Sequence, residues 1–127
     1  MKCLDSTFVI DLLRNDPVAV AKAKQLEGNE FAITPIIAHE VMIGVFFTKP
    51  KFAQKAMELL RSLRILDLSF ASATTSASIG AALRKAGREV GDGDLLTVGA
   101  MLANECDTII TRDADFKRIK GITVETY

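Results

Sequence analysis

The chain has 127 residues, 49% of them hydrophobic, and its 16 basic and 16 acidic side chains cancel to a formal charge of zero. That length makes one domain with a full core, the apolar content excludes intrinsic disorder, and the neutral balance gives no global electrostatic pull towards nucleic acid. No apolar run reaches membrane-spanning length, the opening Met1-Lys2-Cys3-Leu4-Asp5 lacks the regions of a secretory signal, and Cys3 and Cys106 lack metal-ligand spacing, so a cytoplasmic protein with reduced, packed thiols is expected.

Met1 to Leu4 reads as a short strand, and Asp5-Ser6-Thr7 turns it into a helix carrying Phe8, Val9, Ile10, Leu12 and Leu13. Asn15-Asp16-Pro17 ends that helix and starts another, with Asp16 as cap and Pro17 in the first turn, running to about Glu27 before Gly28-Asn29 closes it. Phe31-Ala32-Ile33 is a second strand. Thr34-Pro35 then opens a helix through Ile36, Ile37, Val41, Ile43, Val45 and Phe47. Pro50 restarts the pattern: Phe52, Ala56, Leu59, Leu60 and Leu63 make an amphipathic helix with Lys51, Lys55, Glu58 and Arg61 outside. Ile65 to Leu68 is a third strand candidate, and Ser69 to Ala86 an alanine-rich helix closed by Gly87.

Gly91-Asp92-Gly93-Asp94 opens a segment otherwise nearly free of polar groups. Apolar residues at 95, 96, 98, 101 and 102 and small ones at 99, 100 and 103 predict a helix surrounded by packing. Asp107 to Thr111 is a well-marked fourth strand, Arg112-Asp113-Ala114-Asp115-Phe116 turns out of it, and Ile122 to Glu125 is a candidate fifth. Strands alternating with helices predict an α/β domain with a parallel sheet, whose ligands bind beyond the carboxyl ends of the strands. Asp5 follows the first strand and Asp113 the fourth, so both fall on that edge.

Glu40 has Ile36, Ile37, Ile43, Gly44 and Phe47 as helical neighbours, which puts a carboxylate on an apolar stripe in the second turn of its helix. It needs a partner there, either an ion pair or hydrogen bond, or a cation shared with other acids. Asp94 is open to two readings as well, helix capping or ligation. If Asp5, Glu40, Asp94 and Asp113 converge, only Arg112 is embedded among them as a basic residue, and a divalent cation is the economical way to neutralise them. Oxygen-only ligands suit Mg2+ or Mn2+, whereas one histidine and two scattered cysteines argue against structural zinc. The matching reaction class is phosphodiester hydrolysis by metal-activated water.

Leu4-Asp5-Ser6 after the first strand, Glu40 in the next helical unit, Asp94-Leu95-Leu96 opening a small-residue helix, and Thr111-Arg112-Asp113-Ala114-Asp115-Phe116 together resemble a PIN domain, most closely the VapC-type toxin ribonucleases. The resemblance spans essentially the whole chain as a single domain, 1–127. It implies a three-layer sandwich with a short, mostly parallel sheet flanked by helices. It also implies a Mg2+- or Mn2+-dependent endoribonuclease that forms a homodimer and is neutralised by a cognate antitoxin of a VapBC-type toxin-antitoxin system. The family's metal-binding acids map onto Asp5, Glu40, Asp94 and Asp113, with Ser6 and Thr111 matching supporting polar positions. Family members often carry Asn at the position of Asp113, and Ser6-Thr7 departs from the common Thr-Asn.

Around this quartet, Asp92 reads as an auxiliary ligand or a turn residue, and Asp115 as an outer support or a turn acid before a buried Phe116. His39 projects about 100° from Glu40 towards the surface. Asp11 and Asp67 read as isolated surface residues. Phe46 and Phe47, with Val45 and Met42, offer a dimer or antitoxin surface, with a simple core helix as the default. Arg84, Lys85, Arg88, Arg112, Lys117, Arg118 and Lys120 flank the acids, and Arg84, Arg88 and Arg112 are weak candidates for contacting substrate phosphates. A response-regulator receiver would need paired acids after the first strand, where this chain has Asp5 alone. The other reading is a catalytically inactive PIN-like interaction module that keeps the acidic rim as a binding surface.

Overall fold

In the computed structural model, which describes residues 1–127, five very short strands lie side by side and all run parallel. They are β1 (Lys2–Leu4), β2 (Phe31–Ile33), β3 (Arg64–Ile65), β4 (Thr108–Ile110) and β5 (Thr123–Glu125), in the spatial order β3-β2-β1-β4-β5. Six helices, α1 (Ser6–Leu13), α2 (Pro17–Gln25), α3 (Pro35–Thr48), α4 (Ala53–Ser62), α5 (Phe70–Lys85) and α6 (Asp92–Ala103), flank the sheet. Cys3 pairs with Ala32 on one side and Ile109 on the other, so β1 is central. The chain leaves β1 towards β2 and β3 and returns through α5 and α6 to β4 on the opposite side. The strand order therefore reverses between β1 and β4, the place beyond whose carboxyl ends ligands bind in sheets of this kind.

Strands covered on both faces are continuously apolar, and Cys3, Leu4, Ala32, Ile33, Ile109 and Ile110 are all buried. Phe8 and Val9 of α1, Ile37 and Val41 of α3, Leu60 of α4, Leu83 of α5, and Leu95, Val98 and Met101 of α6 complete the core with Phe116. Cys3 and Cys106 are buried and unpaired. The caps lie where expected: the Asp16 carboxylate accepts from the Ala19 amide at 3.0 Å and the Thr34 hydroxyl from the Ile37 amide at 3.2 Å. No helix is long and apolar enough to cross a membrane.

Three expectations change. β3 covers only Arg64–Ile65, because Leu66 donates once more to the Ile33 carbonyl and the Asp67 carbonyl is then taken by the Ser72 and Asn104 side chains, which ends the ladder. A 3-10 turn at Pro50–Phe52 precedes α4, since proline supplies no amide to continue α3. The default of a simple core helix fails for α3. Ile37 and Val41 face inward, while Ile43 and Phe46 are largely exposed and Phe47 is 87% exposed.

The closest helix contact in the fold is α5 against α6, and it depends on Gly99. A Cβ there would collide with the Ser72 carbonyl oxygen and stand 2.8 Å from the Ser76 Cβ, so the backbone of α5 would have to move. Gly99→Ala is expected to destabilise the protein by about 3 kcal/mol in urea denaturation, whereas Gly44→Ala, with open space around its Cβ, is expected to be neutral or slightly stabilising. Equal effects of the two substitutions would contradict the close packing.

Candidate metal centre

Asp5 is the first residue beyond β1, and its amide still pairs with the Ile110 carbonyl at 3.1 Å, which locks the backbone to β4. The side chain is only 4% exposed. Two hydroxyls hold it: Thr111 Oγ1 donates to Oδ2 at 2.6 Å and Thr7 Oγ1 to the same oxygen at 3.0 Å. Both donors use Oδ2, so Oδ1 makes no protein hydrogen bond. Thr111 Oγ1 in turn accepts from the Asp113 amide at 2.9 Å, so one buried hydroxyl couples the acid after β1 to the acid after β4.

Asp113 starts the 3-10 turn Ala114–Arg118, and its Oδ1 accepts from the Asp115 amide at 2.9 Å. That turn carries the Asp115 carboxylate back towards α6. Ligand oxygens of Asp94, Asp113 and Asp115 all lie within 4.8 Å of one another.

Asp94 stands in the first turn of α6, where the helix dipole favours negative charge. No side-chain cap closes this helix, and the Asp94 carboxylate bonds none of its free amides. Burial first, then the charges of Asp5, Asp113, Glu40 and Asp115, push the Asp94 pKa up to about 7. Those four perturbers are a list of its neighbours. Glu40, in the second turn of α3, lies at the exposed border of the group. Its pKa is also raised, by desolvation and then by Asp5, while His39 and a hydrogen bond with Ser6 oppose the shift. A buried hydroxyl pair, Thr34 with Thr97 at 3.2 Å, joins the start of α3 to α6 and sets the two acidic helices side by side.

The structure thus brings Asp5, Glu40, Asp94 and Asp113 to one rim and adds Asp115, with Thr111 bonded to Asp5 and Asp113 and Ser6 next to Asp5 in the chain. None of the four quartet acids enters an ion pair. Asp115 alone has one, a solvent-exposed contact at 3.6 Å with Arg118. The stripe that carries Glu40 leaves the core along its length: Ile37 on it is buried, whereas Ile43 and Phe47 are exposed.

Asp92 is exposed and lines the cleft between α5 and α6, away from the charges that act on Asp94. Arg84 lines the same cleft, with its Nε 3.3 Å from Glu89, and Arg88 is exposed. Arg112 is not embedded among the acids. Its Nε lies 3.4 Å from Asp11 and its Nη2 3.1 Å from Asp16, with the guanidinium stacked over Tyr127. Asp11, expected to be isolated, also accepts from the Tyr127 hydroxyl at 2.6 Å. The Thr7 bond to Asp5 is local, two residues apart, and its hydroxyl was visible in the sequence beside the acid, whereas Tyr127 carried no signal because its partnership with Asp11 joins distant parts of the chain.

Five carboxylates whose one ion pair is the exposed contact of Asp115 with Arg118, offering oxygen donors alone, fit a hard divalent cation. Mg2+ takes oxygens at about 2.1 Å, so two ligands of one ion stand up to about 4.2 Å apart. The spacing of Asp94, Asp113 and Asp115 reaches that with a small side-chain adjustment. Asp5 Oδ1 is the remaining donor without a protein partner.

The family model of the PIN domain matches residues 2–122. The tRNA(fMet)-specific endonuclease VapC of Shigella flexneri is 23% identical over 128 residues, covering 98% of this chain and 96% of that protein. Among solved structures, VapBC2 from Rickettsia felis bound to a DNA fragment from their promoter superposes with a TM-score of 0.85 at 23% identity, over 98% of this chain and 97% of that one. DNA-bound VapBC from Salmonella typhimurium gives 0.80 at 22% identity over 98% and 96%. The sarcin-ricin loop cleaving toxin VapC20 of Mycobacterium tuberculosis gives 0.72 at 15% identity over 92% and 93%.

The raised pKa of Asp94 makes a prediction for the ion-free protein. The unfolded chain loses this proton near the ordinary 3.8 and the folded chain near 7, so stability falls as pH rises through that window. Asp94→Asn removes the penalty. In EDTA, its stability advantage over the unsubstituted protein should grow between about pH 4 and about pH 7 and level off above, by on the order of 1 kcal/mol once solvent screening of a half-buried group is allowed for. An advantage independent of pH in urea titrations would contradict the mutual repulsion.

Proposed function

This chain belongs to the PIN-domain family, and from that premise we propose that it is a Mg2+- or Mn2+-dependent endoribonuclease, the toxin of a VapBC-type toxin-antitoxin system acting in the cytoplasm. The observation that carries the reading is the gathering of Asp94, Asp113 and Asp115, whose ligand oxygens lie within 4.8 Å of one another, under the charges of Asp5 and Glu40, with no ion pair at Asp5, Glu40, Asp94 or Asp113. A purely structural cluster would be expected to recruit arginine or lysine, and the nearest guanidinium in sequence, Arg112, is bonded elsewhere.

Asp94, Asp113 and Asp5 would hold the ion, with Glu40 and Asp115 at its border. A bound divalent ion supplies a water of lowered pKa, a hold on a phosphate oxygen and stabilisation of the leaving oxygen. The protein's own part is positional. Thr111 and Thr7 fix the Asp5 side chain through Oδ2 and leave Oδ1 without a protein partner, Thr111 holds the Asp113 amide, and α6 delivers Asp94 in its first turn. Asp94 and Glu40, both raised in pKa, release their protons on ligation, so occupancy should rise with pH. Exposed Arg84, Arg88, Lys117 and Arg118 are within the charged surroundings that would steer the phosphates of an RNA strand.

Protein partners have surfaces of their own. An apolar groove between α1, α3 and α4, lined by Ile10, Leu13, Val45, Phe52 and Ala56, and the exposed Ile43, Phe46 and Phe47 of α3 would serve a cognate antitoxin and a homodimer. An antitoxin segment carrying arginine would also neutralise the acidic rim, since a guanidinium pairs bidentately with carboxylates.

The test is cleavage of RNA by the purified protein. Turnover is expected with Mg2+ or Mn2+, to vanish in EDTA and to return on adding metal. Asp5→Asn and Asp94→Asn should each lower it by roughly 100-fold or more with unchanged far-UV circular dichroism, exceeding the effect of removing an outer support of a metal site. Cleavage indifferent to chelation, or unaffected by both substitutions, would remove the nuclease reading and leave an interaction module.

A further inference from the structure

Arg112 stands between Thr111, which bonds Asp5, and Asp113, so its backbone belongs to the acidic site while its side chain does not. Charge alone would place the guanidinium among the carboxylates, because a free arginine beside an unneutralised acidic cluster pairs with it. Instead three groups hold it on the far side. Asp11 and Asp16 take Nε and Nη2, and the Tyr127 ring lies 4.6 Å beneath the guanidinium carbon.

Each holder is itself anchored. Asp16 caps α2 through the Ala19 amide. Tyr127 packs edge-on against the buried Phe8, with ring centroids 4.7 Å apart, and donates its hydroxyl to the same Asp11 Oδ2 that meets Arg112. Burial and that hydrogen bond keep the phenol protonated well above its ordinary range, so it remains a donor. The arrangement is over-determined for a surface ion pair, and Phe8 ties it to the helix that follows Asp5.

We propose that Asp11, Asp16 and Tyr127 form a restraint that holds the Arg112 guanidinium off the neighbouring acidic cluster and keeps the carboxylates free for a divalent cation. This rests on the reading of the cluster as a cation site. When the restraint opens, Arg112 becomes an internal counter-ion that competes with the metal.

Mn2+ binding to the full chain, read from the loss of the free-ion electron paramagnetic resonance signal, tests it without reference to turnover. Tyr127→Leu, which keeps apolar volume against Phe8, and the isosteric Asp11→Asn are each expected to weaken Mn2+ binding by roughly 10-fold. Adding Arg112→Gln to either should restore binding to within about 2-fold of the unsubstituted protein, and Arg112→Gln alone should bind no more weakly. Circular dichroism identifies a variant that fails to fold, and Asp11→Asn carries the test if Tyr127→Leu does. The restraint is overturned if the double variants bind as weakly as the single ones, which a merely structural role predicts, or if the single variants bind normally. An unsubstituted chain that takes up no Mn2+ overturns the cation site itself, a different result from either.

Discussion

Like charges forced together, with no ion pair at Asp5, Glu40, Asp94 or Asp113, are the constraint around which this molecule is arranged. Asp5, almost completely buried, cannot leave, because its backbone is laced to β4 and its side chain to Thr7 and Thr111. Asp94 is delivered beside it by a helix that has almost no other polar surface. Burial first, and then the repulsion of its neighbours, raise the pKa of the Asp94 carboxyl to about 7 despite a helix N-terminus that pulls the other way. A fold tolerates such a site when the energy is recovered by a ligand, and perturbed carboxylates in a crevice are a common mark of function.

The rest of the architecture serves that placement. All-parallel strands put every strand's carboxyl end on one edge, and the strand order reverses between β1 and β4, where ligands bind in sheets of this kind. The Thr34–Thr97 hydroxyl pair and the glycine contact between α5 and α6 fix the helices that carry Glu40 and Asp94. Polar residues in this core are few, and nearly every one touches the site or a helix end: Thr34, Thr97, Thr111, Ser72 and Asp5 itself.

Much of this was legible in the sequence. Alternation of short apolar runs with helical segments predicted the parallel sheet, and Asp16, Thr34 and their prolines marked two helix starts, because caps act over three or four residues. Asp5 and Asp113 could be placed on one edge because both follow strands directly. Side-chain partnerships across the chain were not legible. Arg112 read as a cation among acids, and only tertiary packing reveals that Asp11, Asp16 and Tyr127 claim it first. The outward face of α3 was hidden for a related reason. An apolar stripe on a helix signals burial, but whether this chain or a partner covers Phe47 depends on neighbours no local pattern contains. Asp115 joins the cluster through a 3-10 turn, whose tighter pitch redirects a side chain that an ordinary turn would leave in solvent.

Anomalous diffraction from crystals of this protein soaked in Mn2+ tests the central claim most directly. The account requires an anomalous peak within ligating distance of Asp94 and Asp113 and in line with the free Oδ1 of Asp5, with the Arg112 guanidinium still stacked on Tyr127. Density for the ion at some other place, or ordered acids around a pocket of water at saturating Mn2+, would contradict it.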